Sequence, residues 1–179
     1  LSEKEMFRIC IFTVILLAAA CSSGSLGTKS QTHQEKVSVA FNPSGRGQEI
    51  TVDLTPGNSF YYPLFAIWLE TAEGDYIQTL YVAKSVATGI FEYGKQENGR
   101  WVTAPRRAPQ TLPYWAHKRA IRAADGLFMP DDKTAVPDAY TGATPKTGFI
   151  LSSRADEPLP QRFRVMLEIN QNWDWNEYW

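Results

Sequence analysis

Phe163-Arg164-Val165-Met166-Leu167-Glu168-Ile169-Asn170 sets four apolar residues, Phe163, Val165, Leu167 and Ile169, on one parity and Arg164, Met166, Glu168 and Asn170 on the other. A strand turns successive side chains to opposite faces, so this period of two describes a half-buried β-strand. The same period appears earlier in the chain. Val37, Val39 and Phe41 alternate with Ser38 and Ala40, and Ile50, Val52 and Leu54 alternate with Thr51, Asp53 and Thr55, with the turn formers Asn42-Pro43-Ser44-Gly45 between them. Phe65, Ile67 and Leu69 continue the pattern and turn Trp68 to the opposite face. Thr71-Ala72-Glu73-Gly74-Asp75 then has the composition of a hairpin loop leading into a strand over 76–82. Several short strands punctuated by Gly and Pro predict an all-β chain folded as an antiparallel β-sandwich. One short helix interrupts it. Pro113 suits a first helical turn, Gly126 suits the stop, and Tyr114, His117, Ile121 and Ala124 fall on one face over 113–124.

Ahead of these strands the chain reads as an export signal. Arg8 precedes an apolar run that ends in Ala18-Ala19-Ala20 before Cys21, and the run is shorter than the roughly 20 residues a spanning helix needs. Small residues before a cysteine, followed by Ser22-Ser23-Gly24-Ser25, have the form of a lipobox with Cys21 as the lipidated residue. Residues 1–5 precede the first methionine and are read as lying upstream of the true start. The expected organisation is therefore a signal and lipobox over 1–21, a polar tether over 22–36, and a β-sandwich over 37–179. The aromatic-rich end at 173–179 reads as an open one, with a further strand or two expected beyond it.

Composition narrows the chemistry. Residues 1–20 contain Lys4, Arg8, Glu3 and Glu5, so their removal leaves the net charge at −1. That balance lacks the basic footprint of a nucleic-acid binder. Cys10 lies in the signal, which leaves Cys21 as the mature chain's cysteine, its sulfur occupied by lipid. An intrachain disulfide, a cysteine zinc site and a haem attachment are excluded together. His33 falls in the tether and His117 on the helix, too few for a histidine metal centre. Asp125, Asp131, Asp132 and Asp138 do not follow the twelve-residue calcium loop, and no nucleophile elbow is present. Glu168 with Asp174 is a carboxylate pair in sequence, and the aromatics of 173–179 offer stacking surface for a glycan or packing surface for the sandwich.

Asp138-Ala139-Tyr140-Thr141-Gly142-Ala143-Thr144 carries the most specific chemical signal. It resembles the D-x-x-[ST]-G-A-[ST] motif at which bacterial flavin transferases attach FMN to a threonine hydroxyl. In that pattern Thr144 takes the covalent FMN, Asp138 and Thr141 are motif positions, and Gly142 and Ala143 keep the approach to the hydroxyl open. The bland reading is a turn between strands, since the same residues are ordinary turn formers. Between Glu97 and Asp125 the ionisable residues are all basic, with Arg100, Arg106, Arg107, Lys118, Arg119 and Arg122 forming either an anion site or a solvated face. On a helix, Arg119 and Arg122 would share a face with Trp115.

Taken with Phe65-Ala66-Ile67-Trp68-Leu69-Glu70-Thr71, Gly74-Asp75-Tyr76-Ile77-Gln78-Thr79-Leu80, Leu112-Pro113-Tyr114-Trp115 and the 163–170 run, the chain resembles the bacterial predicted-periplasmic family catalogued as domain-of-unknown-function family 2271. The resemblance implies an exported Ig-like β domain whose genes accompany flavin-transferase and membrane redox genes. The expected function is a lipid-anchored, periplasm-facing, non-catalytic protein of the bacterial cell envelope, seated in the outer membrane. It would be held to the membrane by its lipid and would work with a flavin transferase and membrane redox proteins as a flavin carrier. The alternative is a structural or ligand-binding module for a glycan or protein, without cofactor.

The lipobox generates a direct test. Metabolic labelling with a fatty acid marks the parent protein and sends it into the detergent phase, and Cys21→Ser loses the label and moves to the aqueous phase. An unlabelled, water-soluble parent in its native host would refute the anchor.

Overall fold

The computed structural model describes residues 36–58, 60–61, 63–137, 141–143, 145 and 147–171. All of them belong to one unit, His33–Trp179. In chain order the elements are β1 (Val37–Phe41), β2 (Glu49–Leu54), β3 (Pro63–Thr71), β4 (Tyr76–Ala83), α1 (Lys84–Thr88), β5 (Ile90–Glu97), β6 (Arg100–Pro105), α2 (Pro113–Arg119), β7 (Thr141–Gly142), β8 (Phe149–Arg154) and β9 (Phe163–Gln171).

The chain is all-β with short helices, built on two facing sheets. One has the order β1-β8-β2 and the other β7-β4-β3-β9. The turn after Asn42 closes as expected, with the Gly45 amide donating to the Asn42 carbonyl at 3.1 Å, yet β1 and β2 do not pair with each other. β8 lies between them, parallel to β1 and antiparallel to β2. β7 is also parallel to β4, so the sheets are mixed where the sequence predicts antiparallel pairing. A third pairing, the β5–β6 hairpin, turns through Asn98-Gly99, both at positive φ (49° and 75°). Asn-Gly tolerates two successive left-handed residues, and that twist matches the twist of the strands it joins.

β3 positions everything else. Phe65, Ile67 and Leu69 point into the space between the sheets with Leu80, Tyr81, Phe149 and Leu151. Leu64, Ala66 and Trp68 point the other way, into a second core closed by Val86 and Ala87 of α1, Leu112, Trp115 and Ala116 around α2, and Met129 and Val136. Trp68 thus turns to the face opposite Phe65, Ile67 and Leu69, as alternation requires.

α2 is shorter than its pattern predicts. It ends at Arg119, and Ala120 takes the left-handed conformation with its N–H on the His117 carbonyl. Trp115 and Ala116 are the buried residues, whereas Tyr114 and Ile121 are about half exposed and His117 lies on the surface. Tryptophan outweighs the other candidates in apolar area, so burying Trp115 sets the helix's rotation. The indole is held in place by its Nε1–H, which donates to Thr79 Oγ1 at 2.9 Å. Gly126 does adopt positive φ, at 83°, but it closes the following turn, its amide donating to the Ala123 carbonyl at 2.9 Å.

Two carboxylates fasten α2 to the sheet. Glu168 of β9 accepts from the amides of Tyr114 (3.1 Å) and Trp115 (2.7 Å), capping a helix whose N-cap residue, Leu112, has no side-chain acceptor. Glu70 of β3 is buried, accepts from Trp68 Nε1 at 2.8 Å and pairs with Lys118 Nζ at 3.5 Å. Lys118 also donates to the Gly74 carbonyl. A buried carboxylate persists only where such partners replace its water.

β9 itself departs from the half-buried pattern. Val165, Leu167 and Ile169 lie opposite Leu69, Ile67 and Phe65 and share their face, but they are 45%, 44% and 55% exposed.

Glu168→Ala strips the acceptor from two helix amides at once. Urea denaturation should show a loss of about 1–2 kcal/mol, the usual cost of an N-cap, with Glu168→Gln recovering part of it. A midpoint unchanged in Glu168→Ala would show that the cap carries no stability.

Candidate functional site

Of the seven motif residues, Thr141, Gly142 and Ala143 are described, while Asp138, Ala139, Tyr140 and Thr144 lie outside the described residues, as does Cys21. Thr141 and Gly142 form β7, a two-residue edge beside Val82 and Ala83 of β4. What fixes this edge is a tyrosine. The Tyr81 hydroxyl donates to the Gly142 carbonyl (3.2 Å) and the Ala143 carbonyl (3.1 Å). Burial pushes the Tyr81 phenol well above its ordinary 10.0, so it remains a neutral donor throughout the physiological range. Its ring packs against Phe41, Phe65 and Phe149 at centroid distances of 5.8, 4.9 and 5.1 Å.

The same cluster accounts for Gly142. A Cβ there would stand 3.1 Å from both Phe41 Cζ and Tyr81 Cε2. The absent side chain faces inward, toward these rings, so a larger residue would make the two rings shift by a few tenths of an ångström, and close packing favours the glycine. Packing of this kind leaves no trace in a seven-residue motif.

Immediately past Thr144 the chain enters a cleft. Pro145 and Thr147 line it together with Leu54, Phe60, Phe65 and Phe149, and its volume is about 420 Å³. Ile169 and Gln171 of β9 complete the wall on the far side. The lining is mainly apolar and aromatic, and the volume falls in the range of small-molecule sites. Phe65 and Phe149 belong to the core between the sheets, so the cleft opens from the inter-sheet space rather than from the α2 side.

The basic block lies elsewhere and is largely committed. Arg107 makes a bidentate pair with Asp125, Nε to Oδ2 at 2.7 Å and Nη2 to Oδ1 at 3.0 Å. It also donates to the carbonyls of Met129 and Pro130. Arg119 stacks over the Trp115 ring at 4.9 Å, which fulfils the expected pairing on one helix face. Arg122, expected on that face too, lies beyond the helix, over Phe128 at 4.0 Å with Nη1 on the Gly126 carbonyl at 2.7 Å. These contacts staple the 106–130 segment onto the second core. They favour a structural role over a shared anion site. Lys36, which reaches Asp53 and lays its stem on Gly148, is a cation nearer the cleft.

The acidic residues weighed for calcium also have local duties. Asp125 Oδ1 accepts from the Leu127 amide at 3.1 Å. Asp131 Oδ1 accepts from the amides of Lys133 and Thr134 and from the Thr134 hydroxyl. Glu168 is occupied by α2, so as one half of a hydrolytic pair it would first have to give up a helix cap.

These contacts hold the Asp125 carboxyl below its ordinary 3.8, through the hydrogen bonds from Arg107 first. They lower Asp131 likewise, through Thr134. Folding favours the charged form of both, so their stabilisation is complete above that ordinary value and is lost as pH falls through the lowered ones. Amide exchange at Leu127 and Thr134 should therefore stay protected at pH 5 and accelerate, relative to β3 amides, only once pH has fallen below the ordinary carboxylate value of 3.8. Arg107→Ala should bring the Leu127 transition to higher pH, and equal behaviour in both proteins would contradict the assignment.

No family model matches the chain, and no curated protein or solved structure matches it.

Proposed function

We propose that this chain is a lipid-anchored, non-catalytic module of the bacterial cell envelope that carries FMN esterified to Thr144. The observation that supports the reading is the aromatic cleft beginning one residue past Thr144, at Pro145. A planar apolar ring system tethered at Thr144 fits such a lining, and the Tyr81 hydroxyl holds the preceding carbonyls at the edge of the sheet. In the attachment step the Thr144 hydroxyl oxygen attacks the FMN-side phosphorus of FAD. The new O–P bond makes a phosphodiester as the pyrophosphate bond breaks, AMP leaves, and the hydroxyl proton passes to a base of the transferase. Once bound, the flavin supplies two-electron redox chemistry, and the protein supplies position and exclusion of water.

In this reading Arg107 and Arg122 are occupied by their own partners, and Lys36, which pairs with Asp53, lies against Gly148 between the cleft residues Thr147 and Phe149. The partners are a flavin transferase for attachment and membrane redox proteins for electron exchange. The lipid on Cys21 keeps the module at the periplasmic face of the outer membrane. A cofactor-free binding module is the second reading. It is favoured by Val165 and Leu167 of β9, exposed apolar residues that are not part of the cleft lining.

Intact mass after co-expression with a flavin transferase and magnesium separates the two. The parent gains FMN and Thr144→Ala does not, while Thr141→Ala keeps attachment if Thr141 is of secondary importance in the motif. A parent free of flavin beside a transferase from its own genome would leave the binding module standing.

A further inference from the structure

β9 is the last strand of its sheet, and its outer edge has no strand partner among the described residues. It is nine residues long, contains no proline or lysine, and pairs with β3 without a bulge. Proteins usually blunt such an edge with charge, proline or a bulge, because its open amides and carbonyls are a template for another strand. Here the charges on the strand, Arg164 and Glu168, are of opposite sign, and the edge is flanked by the exposed row of Val165, Leu167 and Ile169. We propose that β9 pairs antiparallel with β9 of a second copy of this chain, about a two-fold axis through Met166.

The sequence of the strand fits that partner. With Met166 on the axis, Arg164 lies opposite the second copy's Glu168, Val165 opposite its Leu167, and Phe163 opposite its Ile169. The opposite charges face each other on one side of the sheet, and the apolar residues meet on the other. The contact is isologous and closes at two copies. Moving the axis to Leu167 sets Met166 against Glu168 and Arg164 against Asn170, which loses the charge match. Glu168 can serve both roles. Each of its oxygens takes one α2 amide, and a carboxylate has about four acceptor positions. The inference does not rest on flavin attachment.

The test uses the full chain extracted from membranes, with sedimentation velocity in density-matched detergent. The parent should sediment as a dimer and Leu167→Lys as a monomer with an unchanged far-ultraviolet circular dichroism spectrum. Oxidation should link Met166→Cys into a covalent dimer beyond the level of the parent. Ile169→Cys should remain unlinked, because this register holds its counterpart roughly 20 Å away along the strands. A monomeric parent at high micromolar concentration would overturn the proposal and assign the edge to another segment of the chain or to a different protein. A dimer untouched by Leu167→Lys, or Ile169→Cys linking as readily as Met166→Cys, would overturn it as well.

Discussion

β3 carries apolar side chains on both parities, and a strand so composed has to be covered on both faces. Burying Phe65, Ile67 and Leu69 against the facing sheet contributes about 1.5–3 kcal/mol per side chain, but that alone would leave Trp68 and Leu64 in water. The chain answers with a second layer made from α1, α2 and the long segment around Met129. An antiparallel sandwich with one wet face would read as strict alternation. The run Pro63-Leu64-Phe65-Ala66-Ile67-Trp68-Leu69 does not, and the extra layer is the consequence.

A second layer of short helices and loops is harder to hold than a sheet. α1 spans five residues and α2 seven, lengths at which a helix has no independent stability. Polar fasteners supply the missing definition. Glu168 caps α2 from the edge strand, buried Glu70 meets Lys118, Thr79 takes the Trp115 indole, and Arg107 ties together the turns at Asp125 and Met129. Each joins residues far apart in the chain, and the first three also fix how the layer sits on the sheet.

The distinction between local and distant partners marks what was legible in the sequence. β1, β2 and β9 announce themselves by alternation, β3 by its row Phe65, Ile67 and Leu69, and β4 by the loop Thr71 to Asp75 before it, and Pro113 does mark the start of α2. Asn98-Gly99 is a hairpin signal for β5 and β6, two strands whose apolar residues do not alternate. β8 is hidden because its inward row ends in Ser153, and its place between β1 and β2 depends on pairing with the first two strands, far away in the sequence. The end of α2 at Ala120 and the exposure of His117 follow from the packing of Trp115 against the sheet. Helical spacing alone placed both on the wrong side.

The motif region shows the same division at finer scale. Thr141, Gly142 and Ala143 look from sequence like a loop selected for access to Thr144. In the fold they form the edge of a sheet, pinned by the Tyr81 hydroxyl and pressed against two aromatic rings. These demands are compatible because they act on different atoms: the core constrains the Gly142 Cα and the two carbonyls, whereas modification concerns a hydroxyl farther along the chain. The small residue at 142 therefore serves the fold whether or not it also serves a transferase.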